Sequence, residues 1–149
     1  MGTPERTSVH TTTGTTTTAR YTELDDEAVE GLNKVSVKTY HGHNDDVSCC
    51  SFSSSWQLLV TGGNDTALCV WDIEAKEIVR SFLGHTEQVK CVTFSRDDLR
   101  VASGGYDRDV LVWDVKSGRC DFRLVHHVSC VECVSFSGSG LYTLVAASK

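Results

Sequence analysis

The chain has 149 residues with 20 acidic and 14 basic side chains, a formal net charge of −6. That balance gives no electrostatic footprint for DNA or RNA, and no Lys/Arg cluster offsets it. The apolar runs have the length of single strands, well short of a membrane span, and residues 1–34 hold neither the apolar segment of a secretory signal nor, with Arg6 at the required Ser/Thr position, a myristoylation site.

Residues 1–34 read as a leader: Thr11 to Thr13 and Thr15 to Thr18 are nearly continuous, without apolar alternation, and are expected to be disordered and open to phosphorylation. Within it the acidic stretch 23–32 places Leu24, Ala28 and Leu32 at helical spacing, which fits a short helix or a solvated linker. Period-two alternation begins at Val35. Strands are expected at 35–40, then 47–52, 58–61, 67–71 and 77–82, again at 89–94, 100–103, 110–113 and 119–124, and finally at 131–136 and 141–146. Short polar stretches at 53–56, 96–98 and 137–140 and at 74–76 and 116–118 supply the turns. Asp98, in one of them, is expected to be exposed and insensitive to substitution. Val, Leu and Phe occupy both faces of 47–52 and 89–94, so these strands are expected to be covered on both sides.

The strands recur with a period of 42 residues: His43, His85 and His127; Val47, Val89 and Val131; Phe52, Phe94 and Phe136; Asp65 and Asp107; Trp71 and Trp113. Gly42-His43 and Gly84-His85 open two copies, and Trp71-Asp72 and Trp113-Asp114 close their third strands. With these paired GH and WD signatures the chain from about Val35 onward resembles the WD40-repeat β-propeller family. The resemblance implies an all-β fold with two complete four-stranded antiparallel blades and partial blades at both ends, the repeats running about 43–84, 85–126 and, incompletely, 127–149. Rings in the family need at least four blades, so this segment is expected to form an open arc, and to self-associate or need the rest of a propeller.

The repeated polar residues are His43, Thr61, Asp65 and Trp71 in one blade and His85, Ser103, Asp107 and Trp113 in the next. Ser103, His85 and Asp107 have the composition of a hydrolytic triad. However, the His precedes the first strand and the Asp lies between second and third, at one end of the blade, where together they can satisfy buried polar groups. No Gly-x-Ser-x-Gly elbow accompanies them. In the family these residues form a structural network, and that reading is preferred to a catalytic one. Gly62-Gly63 and Gly104-Gly105 are expected to be turn glycines rather than a phosphate cradle, since no helix follows.

The third copy departs from the others. His126-His127 replaces Gly-His, Val145 takes the position of Thr61 and Ser103, and Lys149 that of the Asp; a one-residue insertion would move that Asp position just past Lys149. The His pair has no further ligands at metal-binding spacing. Seven cysteines, an odd number, point to a reducing compartment and a cytoplasmic or nuclear location, in which the Asn64 sequon goes unused. Cys49, Cys91 and Cys133 share one strand position and read as small gap-fillers; Cys130 and Cys133 have CxxC spacing on a strand, which suits neither zinc nor redox chemistry.

No cofactor, metal or catalytic residue is expected. The resemblance implies a protein–protein interaction scaffold whose partners dock on the loops preceding the first strand and joining second to third. Those loops contain Asn44, Asp45, Asp46 and Asn64 in one blade and Thr86, Glu87, Gln88 and Tyr106 in the next. Their acidity suits a basic peptide, and Tyr106 offers a rigid contact. The alternatives are a truncated product without independent function, or one that regulates by competing for partners, and, remotely, a Ser-His-Asp hydrolase.

Overall fold

The computed structural model describes residues 9–11, 38–125, 127–137 and 144–148. The expected leader apart from its Val9–Thr11 segment, the helix or linker at 23–32, and residues His126 and Lys149 lie outside the described residues. Two short strands come first, β1 (Val9–Thr11) and β2 (Lys38–Tyr40). They pair in parallel, Val9 opposite Lys38 and Thr11 opposite Tyr40.

Two four-stranded antiparallel sheets follow. The first contains β3 (Val47–Phe52), β4 (Leu58–Gly63), β5 (Leu68–Asp72) and β6 (Glu77–Phe82) in that order. The second repeats the meander with β7 (Val89–Phe94), β8 (Arg100–Gly105), β9 (Val110–Asp114) and β10 (Cys120–Leu124). A two-stranded sheet, β11 (Val131–Phe136) with β12 (Leu144–Ser148), completes the described chain. The inner strands stand side by side, β3 against β7 and β7 against β11. The arrangement is open, not a closed ring.

Each turn has a physical cause repeated in both sheets. Between first and second strands, a buried serine closes the turn: Ser53 Oγ accepts the Leu58 N–H and Ser95 Oγ accepts that of Arg100, both at 2.9 Å. Between third and fourth strands, Asp72 accepts the N–H groups of Glu74 and Ala75, and Asp114 accepts that of Ser117. Aspartate beside tryptophan is thus the cap that ends the third strand. The turn then needs a left-handed residue, Lys76 at φ 61° in one sheet and Gly118 at φ 76° in the other.

Two expectations are corrected here. The second strands run through Gly62-Gly63 and Gly104-Gly105, so these are strand residues, not turn residues. The missing side chains of Gly62 and Gly104 make room for the next sheet: a Cβ on Gly62 would lie 2.6 Å from Cγ1 of Val89, and one on Gly104 would lie 2.5 Å from Cγ1 of Val131. The other correction concerns the third sheet. Cys50 opposes Thr61 and Val92 opposes Ser103, but Val134 opposes Ala146. Phe52 and Leu59, like Phe94 and Val101, pair across six residues, whereas Phe136 and Leu144 pair across seven. One more residue thus separates the paired ends of β11 and β12, so Ala146 and not Val145 takes the hydroxyl position, and the Asp position moves beyond Lys149.

The core lies between sheets. Val60, Leu68, Val70 and Phe82 of the first pack on Val89, Val92, Phe94, Leu111 and Trp113 of the second, and Ala102, Val110 and Val112 pack on Val131 and Val134 of the third. Burying a side chain of this size stabilises by roughly 1.5–3 kcal/mol. Where no sheet covers a face the same positions are open: Phe52 is 38% exposed, its counterpart Phe94 only 7%.

Candidate functional site

The two polar networks are built identically. In the first sheet, Nδ1 of buried His43 lies 3.0 Å from each carboxylate oxygen of Asp65, and Nε2 lies 2.7 Å from Thr61 Oγ1. The Trp71 indole N–H donates to the same hydroxyl at 2.8 Å. In the second, His85 Nδ1 is 2.7 Å from Asp107 and Nε2 is 2.7 Å from Ser103 Oγ, which accepts the Trp113 N–H at 2.9 Å. An imidazole whose Nδ1–H faces a carboxylate has an accepting Nε2. The hydroxyl therefore donates to the ring and accepts from the indole.

The carboxylates also fasten the loops that flank them. Asp65 accepts from the backbone of Asn44 and Ala67, and Asp107 from that of Thr86 and Asp109. Burial pushes the Asp65 pKa up, but the Asn44 N–H, the His43 imidazole and the Ala67 N–H outweigh it and hold the carboxyl below its ordinary range. Gly42 and Gly84 belong to the same construction, because a Cβ there would lie 2.7 Å and 2.8 Å from Cη2 of Trp71 and Trp113.

This geometry does not support hydrolysis. Ser103 and Thr61 are 0% exposed, and each hydroxyl is engaged by an imidazole and an indole. A substrate has no approach to the oxygen that would attack it. Among the described residues, no three His, Cys, Asp or Glu side chains gather as a metal site. Cys49 and Cys91 sit half-buried at the sheet interfaces while Cys133 is exposed, so the gap-filling role holds for the first two and not the third.

The eight loop residues singled out in sequence lie at the network end of the two sheets. Asn44, Asp45, Asp46, Thr86, Glu87, Gln88 and Tyr106 are exposed and Asn64 is half-buried. Backbone bonds tie the loops in pairs, Asn64 N to Asp46 O at 2.8 Å and Tyr106 N to Gln88 O at 3.0 Å. Tyr106, 45% exposed, is braced by Lys90, whose ammonium stands 5.0 Å from the ring centroid. Lys90 is held in turn by Glu132 of the third sheet at 2.8 Å, and this hydrogen-bonded pairing raises the Lys90 pKa.

Sequence reading missed three contacts between sheets. Lys90 and Glu132 occupy one repeat position on adjacent inner strands, and their opposite charge at that spacing was the available signal. Asp98 is not inert: its carboxylate accepts the N–H groups of Ser54 (2.5 Å) and Ser55 (2.9 Å) across the first interface. Arg80 of β6 likewise donates to the Lys116 carbonyl of the second sheet.

The family pattern described as "WD domain, G-beta repeat" matches residues 34–72 and 76–114. The second matched unit holds the fourth strand of the first sheet and the first three of the second, β6 to β9, and the first unit holds β2, the partner of β1, with β3 to β5. WD repeat-containing protein 18 of Rattus norvegicus is 35% identical over 43 residues, 29% of this chain and 10% of that protein. The structure titled "Crystal structure of RRP9 WD40 repeats" superposes with a TM-score of 0.60 at 27% identity, covering 62% of this chain and 28% of that one. This chain thus spans about a tenth of the length of the curated relative.

Proposed function

The chain belongs to the WD40-repeat family, whose two matched units cover just over half of it, and on that premise we propose that it is a non-catalytic platform for binding other proteins. The WD40 fold is typical of such scaffolds, and the observation that carries the proposal is Tyr106. An aromatic ring held by Lys90 and Glu132 presents fixed, half-exposed surface at little entropic cost. Asp45, Asp46 and Glu87 are exposed in the loops of the same face and give it negative charge, and the partner we infer is a basic polypeptide segment. Seven free cysteines support a reducing location, cytoplasm or nucleus.

The test is selection of random peptides on the full chain, followed by affinity measurements. Selected peptides should be rich in Lys and Arg and bind more weakly at high salt. They should lose about ten-fold or more in affinity to Tyr106→Ala, the loss expected of a contact hot spot, with a smaller loss for Glu87→Gln. Peptides that bind Tyr106→Ala as well as the parent chain would sink this reading.

A further inference from the structure

The end of the first sheet opposite the loop face carries an open groove of about 780 Å³. Its walls are the turn joining β3 to β4 and the turn joining β5 to β6, and it is rimmed by Lys38 of β2 and Asp98 of the second sheet. Trp56 forms one side and is 71% exposed, whereas Trp71 and Trp113 are each 1% exposed. The Phe52 ring, 5.5 Å away between centroids, supports the indole. At the equivalent turn position of the second sheet stands Asp98, and both residues hold left-handed backbone, φ 60° and 59°. Aspartate adopts that conformation readily and a bulky indole does not. Local folding therefore favours a different residue at 56, and the exposed ring gains almost nothing from burial.

The charge of the groove fits one kind of occupant. Among the described residues, Asp72, Glu74 and Asp98 line it against one cation, Lys38, whose ammonium already donates to the Ile73 carbonyl at 3.0 Å. Asp72 and Asp98 are each oriented by two backbone N–H groups. The exposed Glu74 carboxylate has no hydrogen-bond partner among the described residues. A guanidinium combines the two properties such a groove rewards, a planar cation that stacks on an indole and a fork of donors that matches a carboxylate. We propose that this groove is a second binding site, taking an arginine side chain of a partner polypeptide between Trp56 and Glu74. It does not rest on the loop-face reading, since it lies at the other end of the sheet and uses none of the same residues.

The full chain would be titrated with a blocked hexapeptide of alternating arginine and glycine, and with the same peptide carrying citrulline, which keeps the shape of arginine and removes its charge. Because the other two indoles are buried away from solvent, a change in tryptophan emission on binding reports on Trp56. A saturable change is expected with the arginine peptide, and binding about ten-fold or more weaker with citrulline. By calorimetry, Trp56→Ala and Glu74→Gln should each weaken binding several-fold, with thermal melts unchanged because both side chains are exposed. Tyr106→Ala should leave this binding unaltered. Equal affinity for the citrulline peptide, or undiminished binding to Trp56→Ala and Glu74→Gln, would overturn the proposal. Loss on Tyr106→Ala alone would also overturn it, while supporting the loop face as the site.

Discussion

Phe82 lies face to face with Trp113 of the next sheet, ring centroids 5.2 Å apart and planes 7° from parallel. Tyr40 holds the same place against Trp71, edge-on at 5.5 Å. The third member of the series, Leu124, is 48% exposed. Phe82→Ala should therefore cost about 3–5 kcal/mol, the range for deleting a buried aromatic ring. Leu124→Ala should cost under about 1 kcal/mol. Urea melts followed by tryptophan fluorescence give both values, and comparable losses would show that the stacked pair is not where the sheets are held.

Asp107→Ala removes the acceptor for His85, Thr86 and Asp109 and should destabilise by about 1–3 kcal/mol. Asp98→Ala frees two N–H groups that water can partly reach, so about 0.5–1.5 kcal/mol is expected. Glu77→Gln, at an exposed strand position, should stay within about 0.5 kcal/mol. The order of the three midpoints in urea is the check. Asp98 falling with Glu77 would mean that its bonds across the interface add nothing.

Acid should weaken the first sheet through Asp65. Its folded pKa is below the ordinary value of 3.8, so the unfolded chain binds the proton first as pH falls. The stability linked to Asp65 is complete well above pH 3.8 and is lost as pH drops through that value toward the lower folded pKa. Asp65→Asn should be less stable near neutrality, and its stability should fall less steeply between about pH 5 and 3 than that of the parent chain. Parallel slopes would remove Asp65 from the acid response.

Burial pushes the Cys49 thiol up to about 11 and that of Cys91 up to about 12, while Cys50, Cys120 and Cys133 are exposed. At pH 8, alkylation by iodoacetamide should reach Cys133 and Cys120 first. Cys49 and Cys91 should react at least about ten-fold more slowly, since the thiolate is the nucleophile. Peptide mass spectrometry resolves the order, and the differences should collapse in urea.

What the sequence disclosed was what each 42-residue unit settles within itself. The tryptophan packs on the glycine of its own GH pair, and its indole, the hydroxyl, the imidazole and the carboxylate all come from one unit, so their spacing is written in the chain. Most strand bounds followed to within a residue because alternation and capping are local, but β4 and β8 run two residues further than expected, through their glycines, and β12 ends two residues later. Contacts between units were not legible in the same way. That Gly62 and Gly104 yield space to Val89 and Val131 depends on how closely two sheets approach, which no local pattern encodes. Asp98 looked like any turn residue because its acceptor role needs the first sheet's backbone beside it. The one-residue slip in the third sheet was visible as a possibility, but its place was decided by the ladder. For β2, whose partner is the parallel β1, the repeat pattern indicated a strand but not its neighbour.

The stagger between matched unit and sheet has a consequence for how such a chain can grow. Because a unit brings the fourth strand of the sheet before it and three strands of its own, a tandem duplication inserted at a unit boundary completes its predecessor and is completed by its successor. No new contact surface has to be invented: the added copy meets its neighbours through interfaces that the existing copies already make with one another. Such a chain can lengthen or shorten by whole units while single-residue insertions, like the one between Phe136 and Leu144, leave the ladder that follows intact.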